Sequence, residues 1–214
     1  MSAFFNTFVK ITGWLPQKIL FRTKIYYEDK KAQSRRIKGK AIIVSNHTSV
    51  YDYAAMLFVF PTRTLRYQMA EVLFGKKGLG TFLKMMGGIK VDRDARDFSF
   101  MAKSEEILSR GGVVGTFPES RLPREGEERP LEFKPSAAYL ALSTGAPIIP
   151  VHVSGGYFGK KRVRVVIGKP VVAADLCRED LTEKENVKNV STFLREKIIG
   201  LGKIVDERQR SKEK

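Results

Sequence analysis

Short runs of branched apolar residues recur along the chain and alternate with longer segments in which apolar residues return at helical spacing. The short runs predict β-strands over residues 22–28, 41–45, 65–70, 89–91, 113–117, 147–154 and 162–167. The longer segments predict helices over residues 53–60, 71–86 (with a bend at 75–80), 97–110, 135–144 and from 181 onward. This alternation indicates an α/β fold with one domain, in which a layered, largely parallel sheet is flanked by helices.

Residues 1–21 differ from the rest and predict an amphipathic helical segment. Its apolar residues at helical spacing are Phe4, Phe8, Ile11 and Leu15. We expect Gly13 and Pro16 to break or bend this helix. The segment is too short and too interrupted to span a bilayer, and it lacks the cleavage site of a signal peptide. Its mixture of Phe, Trp and Lys is typical of a helix in the membrane interface, although packing onto the core of the domain, residues 22–214, is an alternative, and both can hold.

Charge adds to this picture because it is unevenly distributed. The net charge is +16 over 214 residues, and residues 1–50 contribute ten Lys and Arg against two Asp and Glu, a net +8. A basic segment can face nucleic acid or an anionic membrane. Large apolar residues are interleaved with these cations, which favours the membrane, so no nucleic acid is expected.

Cysteine and histidine are too few for the usual metal and disulfide sites. Cys177 is the single cysteine, which excludes an internal disulfide and indicates a reducing compartment. The two histidines are His47 and His152, so neither a His-rich nor a Cys-rich metal site is predicted. His152 lies within a predicted strand among branched residues, and a structural role is expected for it.

His47 follows a predicted buried strand, and Asp52 comes five residues later, before the next predicted helix. A carboxylate that holds one ring nitrogen of a histidine leaves the other free to take a proton from a hydroxyl. The spacing therefore predicts a general base. The alternative is that His47 is an ordinary loop residue and that Asp52 only caps the helix.

Four motifs, in this order along the chain, resemble the signatures of the glycerolipid acyltransferases, the family of 1-acylglycerol-3-phosphate acyltransferase. They are Asn46-His47-x-Ser49-x-x-Asp52, residues 88–93, Phe117-Pro118-Glu119-Ser120-Arg121 and residues 146–151. The third departs from the family pattern, because Ser120 replaces a glycine, Arg121 comes one position early and Leu122 takes the usual place of the arginine. All four fall at or on predicted strands, and ligands bind at strand carboxyl ends in open α/β sheets.

The resemblance implies an enzyme that moves a fatty acyl chain from a thioester, either acyl-CoA or acyl-carrier protein, to the 2-hydroxyl of 1-acylglycerol-3-phosphate (lysophosphatidic acid), giving phosphatidic acid. It implies no cofactor beyond the acyl donor. His47 is then the base and Asp52 orients it. The fourth motif is expected to shape the wall of the acyl site. The location implied is the cytoplasmic face of a membrane, with peripheral or monotopic attachment.

The acceptor site that the resemblance implies is basic. Arg93, with Lys90 and Arg121, is expected to bind the acceptor phosphate, because a guanidinium can meet two phosphate oxygens at once. Glu119, next to Ser120, is expected to hold the acceptor or to order the site. Two alternatives stay open: the same chemistry on another lysolipid, and a non-enzymatic basic module that binds membrane or nucleic acid.

Overall fold

The sheet of this protein contains seven strands in the residues described by the computed structural model, which are 2–92, 98–159 and 162–213, with side chains described as far as residue 207. In chain order the strands are β1 (Lys24–Tyr27), β2 (Ala41–Ser45), β3 (Leu65–Ala70), β4 (Ile89–Val91), β5 (Val113–Thr116), β6 (Ile148–Ser154) and β7 (Arg164–Ile167). Across the sheet their order is β1-β7-β6-β2-β5-β3-β4. All neighbours are parallel except β6 and β7, so the predicted α/β fold with a largely parallel sheet is confirmed.

Helices cover both faces of this sheet. They are α1 (Ser2–Leu20), α2 (Asp52–Val59), α3 (Leu79–Met85), α4 (Ser99–Ser109), α5 (Ser136–Thr144) and α6 (Glu183–Glu213). The first three pack in one hydrophobic cluster and the last three in another. Strand β2 serves both clusters, because Ile43 points to the first while Ile42 and Val44 point to the second. Its five residues are all buried, as expected for a central parallel strand.

The helix predicted over residues 71–86 was wrong in its first half. A single 3-10 turn covers Glu71–Leu73, and α3 begins only at Leu79. Gly78 has a φ of 73°, and a Cβ on Gly80 would lie 2.0 Å from the carbonyl oxygen of Phe74. The chain turns too sharply here for a continuous helix, so the glycines outweigh the apolar spacing.

We expected Gly13 and Pro16 to break or bend the N-terminal helix, and they do not break it, since α1 continues through both. Gly13 serves a close approach instead of a break, because a Cβ there would lie 2.8 Å from the ring of Phe58 on α2. The single backbone hydrogen bond that Pro16 removes does not end the helix.

Helix α1 buries polar side chains and exposes apolar ones. Asn6 and Lys10 are buried, and Phe5 and Val9 are partly buried against the core. The opposite face carries exposed large apolar side chains, namely Phe4, Phe8, Ile11, Trp14, Leu15 and Ile19. Phe4, for example, is 80% exposed. A helix on a water-facing surface normally buries its large apolar side chains and exposes its polar ones, so α1 shows the reverse pattern. Within the described part of the chain, no helix has both the length and the apolar character needed to cross a membrane.

Lys10 fixes α1 to the end of α2. Its Nζ donates hydrogen bonds to the carbonyl oxygens of Phe60, Pro61 and Arg63, at 3.3, 3.4 and 2.5 Å, just beyond the last residue of α2. A cation is favoured where helix carbonyls lack partners. Burial nevertheless lowers the pKa of Lys10 to about 8.

We expect the contribution of Lys10 to stability to depend on pH. Between about pH 8 and its ordinary pKa of 10.5, the unfolded chain keeps the lysine proton while the folded chain releases it. The free energy of unfolding therefore rises with pH across this window because of Lys10. Lys10→Met keeps the apolar stem and removes the titration. The difference in unfolding free energy between parent and variant should shift in favour of the parent as pH rises through the window; a constant difference would contradict the prediction.

Candidate active site

The candidate site lies where parallel strands β2, β3, β4 and β5 present their carboxyl ends at one edge of the sheet. The loop of residues 46–51 leaves β2 there and enters α2 at Asp52. Asn46 ties this loop to β6, because its amide group exchanges two hydrogen bonds with the backbone of Val153, at 2.7 and 2.8 Å. The loop is thus fixed at its first residue to the strand beside it.

The carboxylate of Asp52 organises this loop. It is fully buried, and its Oδ2 accepts hydrogen bonds from the backbone N–H groups of Thr48 and Ser49, at 2.6 and 2.8 Å. Its Oδ1 accepts from the hydroxyl groups of Thr48 and Tyr157, at 3.1 and 2.6 Å. These bonds run back to the loop and across to another chain segment, so Asp52 does more than begin a helix.

His47 shares the same carboxylate. Its Nδ1 lies 2.9 Å from Oδ2 of Asp52, and because a carboxylate only accepts, Nδ1 carries the proton and donates it. Nε2 is then the basic ring nitrogen. The side chain of His47 is 19% exposed, which gives the ring access to solvent while the carboxylate behind it is buried. This arrangement has the geometry of an oriented general base.

Two aromatic rings, those of Phe117 and Tyr67, pack in sequence behind one face of the His47 imidazole. The ring of His47 lies parallel to that of Phe117 with centroids 4.4 Å apart, and Phe117 in turn contacts Tyr67 at 5.1 Å. Tyr67 lies across Gly115 on the neighbouring strand, where a Cβ would come within 2.2 Å of its ring. The absence of a side chain at Gly115 therefore makes room for the stack.

Glu119 of the third motif holds the backbone of the loop that carries His47. It is buried, and its carboxylate accepts hydrogen bonds from the N–H groups of His47 and Leu131, at 2.7 and 2.8 Å. Burial raises the pKa of Glu119, and these backbone donors act in the opposite direction. The residue thus joins the ends of β2 and β5 beneath the site.

The last two residues of the third motif, Ser120 and Arg121, begin the loop that follows it, and Arg121 contacts that loop. Ser120 has a φ of 57°, in the region that favours glycine, which matches the residue it replaces. Arg121 forks onto Glu127 with two hydrogen bonds, at 2.6 and 2.8 Å. The bond from Arg121 lowers the pKa of Glu127 to about 2. Arg121 therefore has a carboxylate partner in this structure, and its predicted contact with phosphate stays a prediction.

The second motif is only partly described. Lys90, on β4, forms an ion pair with Glu71, which lies in the 3-10 turn that follows β3. Arg93 lies outside the described residues, so its predicted role stays a prediction as well. The residues on either side of the undescribed segment 93–97, Asp92 and Phe98, both line the cavity next to the candidate site.

This cavity has a volume of about 840 Å³ and an apolar lining at the ends of β3, β4 and β5. Its main apolar lining residues are Met69, Phe98, Phe100, Met101, Phe117 and Tyr139. Phe117 connects it to the candidate base, because the same ring stacks on His47. Ser120 is at its rim. The fourth motif, residues 146–151, was expected to shape the wall of the acyl site, but it contributes none of the lining residues of this cavity.

The sequence predicted His47 and Asp52 as a pair and did not indicate two of their partners. Thr48 and Tyr157 both donate to Asp52, and no residue spacing marks Tyr157, which is 105 positions away. His152 lies apart from this site, and its Nδ1 is 3.1 Å from the carbonyl oxygen of Ile198. Among the described residues, no group of three or more His, Cys, Asp and Glu side chains could hold a metal ion.

Comparison with known proteins gives one family match and a consistent set of relatives. The model of the family described as Acyltransferase matches residues 23–154. The 1-acyl-sn-glycerol-3-phosphate acyltransferase of Bacillus subtilis (strain 168) is 27% identical over 171 residues, covering 78% of this chain and 83% of that protein. The human beta form of this enzyme is 29% identical over 145 residues, and there the match covers 67% of this chain and 51% of the relative. This chain therefore spans about half the length of the human relative.

The fold has a counterpart among solved structures. The crystal structure of the 1-acyl-sn-glycerophosphate (LPA) acyltransferase PlsC from Thermotoga maritima aligns with a TM-score of 0.66. The alignment covers 93% of this chain and 79% of that one, at 22% identity, which establishes a common fold. Because the family model matches more than half of the sequence, the resemblance read from the four motifs is confirmed, and this chain belongs to the Acyltransferase family.

Proposed function

We propose that this acyltransferase moves a fatty acyl chain from a thioester to the 2-hydroxyl of 1-acylglycerol-3-phosphate. The observation that carries the proposal is the His47–Asp52 pair at the carboxyl edge of the sheet, beside an apolar cavity. The acyl donor is acyl-CoA or acyl-carrier protein. The relatives named above are 1-acyl-sn-glycerol-3-phosphate acyltransferases, which supports this choice of acceptor.

His47 acts as the general base in this proposal. Its Nε2 takes the proton of the acceptor hydroxyl as that oxygen attacks the thioester carbonyl carbon, and Asp52 stabilises the imidazolium that forms. The tetrahedral intermediate then collapses, the carbon–sulfur bond breaks, and His47 returns the proton to the departing thiolate. The products are the new ester and a free thiol, and no covalent acyl-enzyme is needed.

The cavity suits the acyl chain that is transferred. It is lined by the apolar residues given above, and the free energy of placing an acyl chain there comes from removing the chain from water. Phe117 belongs both to this lining and to the stack under His47. A thioester whose chain occupies the cavity would therefore have its carbonyl group near the base.

We assign the acceptor phosphate to the basic residues of the second motif. In the sequence Arg93 directly follows Asp92, which lines the cavity, and Lys90 lies on β4, whose last residue also lines it. Lys90 and Arg121 already pair with carboxylates, those of Glu71 and Glu127, so a phosphate would have to compete for either cation. The pairing of Arg121 favours a second acceptor class, in which the same chemistry acts on a lysolipid whose headgroup Arg121 does not contact.

We propose that the exposed face of α1 lies in the membrane interface. Residues 22–214 then form the acyltransferase domain. Burying Asn6 and Lys10 while exposing phenylalanines is unfavourable in water and favourable at a bilayer surface. Further exposed apolar residues, Val50, Tyr51 and Phe158, continue this surface near the end of α1, where Phe158 contacts Phe21. Anionic headgroups would complement the basic residues of the first 50 positions. This arrangement supports peripheral or monotopic attachment, and we propose the cytoplasmic face as its location.

Substitution of the pair tests the chemistry. His47→Ala should abolish acyl transfer, and Asp52→Asn should lower kcat by about a hundredfold or more, because the imidazole loses its orienting carboxylate. Release of free thiol from acyl-CoA in the presence of the lysolipid measures both. His152→Gln is the matched control and should retain the parent rate, with folding checked by circular dichroism. A folded His47→Ala protein with near-parent turnover would exclude this mechanism.

A panel of acceptors tests the phosphate assignment. With 1-acylglycerol-3-phosphate, Arg93→Ala should raise the acceptor KM by about ten- to a hundredfold and leave the donor KM nearly unchanged, the cost of a lost charge-assisted hydrogen bond. Arg93→Lys should recover part of the loss, because lysine offers a charge without the fork.

Arg121→Ala extends this test to the third motif, and Arg178→Ala is its control, since Arg178 is likewise exposed and paired with a carboxylate, Asp180. If Arg93→Ala and Arg121→Ala both use the phosphorylated acceptor as well as the parent does, phosphate is not recognised here. A lysolipid with an uncharged headgroup would then be the better acceptor.

Vesicle binding tests the role of α1. The inner face of α1 packs on the domain, so we expect deletion of α1 to unfold part of the domain. Substitutions at outward-facing positions of α1 are therefore the better test. Phe8→Gln with Ile11→Gln should weaken binding to vesicles that contain anionic lipid without changing the thermal midpoint, because both side chains are exposed. Val172→Gln removes an exposed apolar side chain elsewhere and should bind like the parent. Unchanged partitioning of the folded double variant would show that α1 serves packing alone.

A further inference from the structure

Residues 155–157, which directly follow β6, lie against the loop of residues 46–51 and the first residue of α2. A Cβ on Gly155 would lie 3.4 Å from the hydroxyl oxygen of Thr48, so the two segments are in close contact. Tyr157 follows two residues later. It lies outside all four motifs and beyond residue 154, where the match to the family model ends.

Tyr157 reaches the carboxylate from a distant part of the chain. Its hydroxyl donates a hydrogen bond of 2.6 Å to Oδ1 of Asp52. The other donors that the structure gives Asp52 belong to residues 47–49, within the same loop. Among the donors that the structure gives this carboxylate, Tyr157 is therefore the one that comes from outside the loop.

The direction of this hydrogen bond is settled by the chemistry of its partners. A carboxylate can only accept, so the phenol donates. Burial raises the pKa of Tyr157, and the negative charge of Asp52 raises it further, so the phenol keeps its proton throughout the range in which the enzyme would work.

Packing holds the ring of Tyr157 in place. Phe21, at the end of α1, meets it edge to face with centroids 5.0 Å apart, and Tyr51 lies at 5.8 Å. The backbone N–H of Phe158 donates to the carbonyl oxygen of Leu20, at 3.3 Å. The hydroxyl is thus aimed at Asp52 by packing on Phe21 and on the backbone of Leu20 at the end of α1, and on Tyr51 at the end of the loop.

We infer that Tyr157 is a positioning residue for the proposed base, acting through the Asp52 carboxylate. This inference rests on the proposed function of the His47–Asp52 pair. The hydrogen bond fixes the rotation of the carboxylate, so that Oδ2 stays on His47, and it draws part of the negative charge toward Oδ1. Without it, more charge remains to stabilise the imidazolium, and the base needs a higher pH to become neutral.

Other titratable groups face this cluster and are common to parent and variant. Glu119 meets His47 from the end of β5, and the phenols of Tyr53 and Tyr67 lie on α2 and β3. Burial raises the pKa of Glu119 and of both phenols. Removing one hydroxyl at position 157 leaves all three in place, so a change in pH dependence would be due to the lost hydrogen bond.

Tyr157→Phe removes the hydroxyl and keeps the ring. We expect kcat to fall about tenfold with the acceptor KM unchanged, and the acid limb of the pH–rate profile to move to higher pH. Tyr27→Phe makes the same chemical change on β1 and should leave both readouts at parent values. In an Asp52→Asn background, Tyr157→Phe should cost almost nothing further, because the group it acts through is gone. Additive losses, or an unmoved acid limb, would overturn the inference.

A second measurement does not depend on activity. Proton NMR can follow the titration of the His47 ring, with His152 as the other histidine in the same spectrum. The midpoint for His47 should move to higher pH in Tyr157→Phe and stay at the parent value in Tyr27→Phe. An unmoved midpoint would overturn the inference even if the enzyme is active. If the parent transfers no acyl group to any lysolipid, the proposed function fails, while this titration still decides whether Tyr157 acts on the pair.

Discussion

The structure depends on one buried negative charge, the carboxylate of Asp52. A charge without solvent is costly unless hydrogen bonds replace the water it loses, and here donors from residues 47–49 and from Tyr157 do so. The same bonds give the loop after β2 its shape and orient the candidate base, His47. Glu119 repeats the device one strand away, with two backbone N–H groups as its donors.

The N-terminal helix shows a second feature, an inverted distribution of polar and apolar side chains. Its inner face carries the ammonium group of Lys10, held by carbonyl oxygens at the end of α2, while its outer face is aromatic and aliphatic. An isolated domain in water would gain by the opposite arrangement. The pattern becomes favourable if the outer face meets lipid, which would also bring the end of α1, and with it Phe21, to the depth of the headgroups.

Much of the fold follows from local pattern, because buried parallel strands read as short apolar runs and the motifs mark their ends. The strand at residues 41–45 and the pairing of His47 with Asp52 are of this kind, since everything needed lies within twelve residues. The helix predicted over residues 71–86 was wrong in its first half, because three glycines change the path of the chain there. The pairing of Arg121 with Glu127 was not predicted, because the conformation of the loop after the third motif determines it. The contact of Tyr157 with Asp52 could not be predicted, because the tertiary fold brings together residues 105 positions apart.

Gly115 has a further consequence for how this sequence can vary. It sits on the central part of the sheet, and its missing side chain leaves room for the buried Tyr67 ring, which packs against Phe117 and through it against His47. A larger residue would collide first with Tyr67 on the neighbouring strand, and the displacement would pass through Phe117 to the imidazole. The position links sheet packing to the geometry of the candidate base, so an evolving lineage has little freedom there. Adaptation to new acceptors has more room in the exposed loop that carries Arg121 and Glu127, where a change disturbs no ring of the stack.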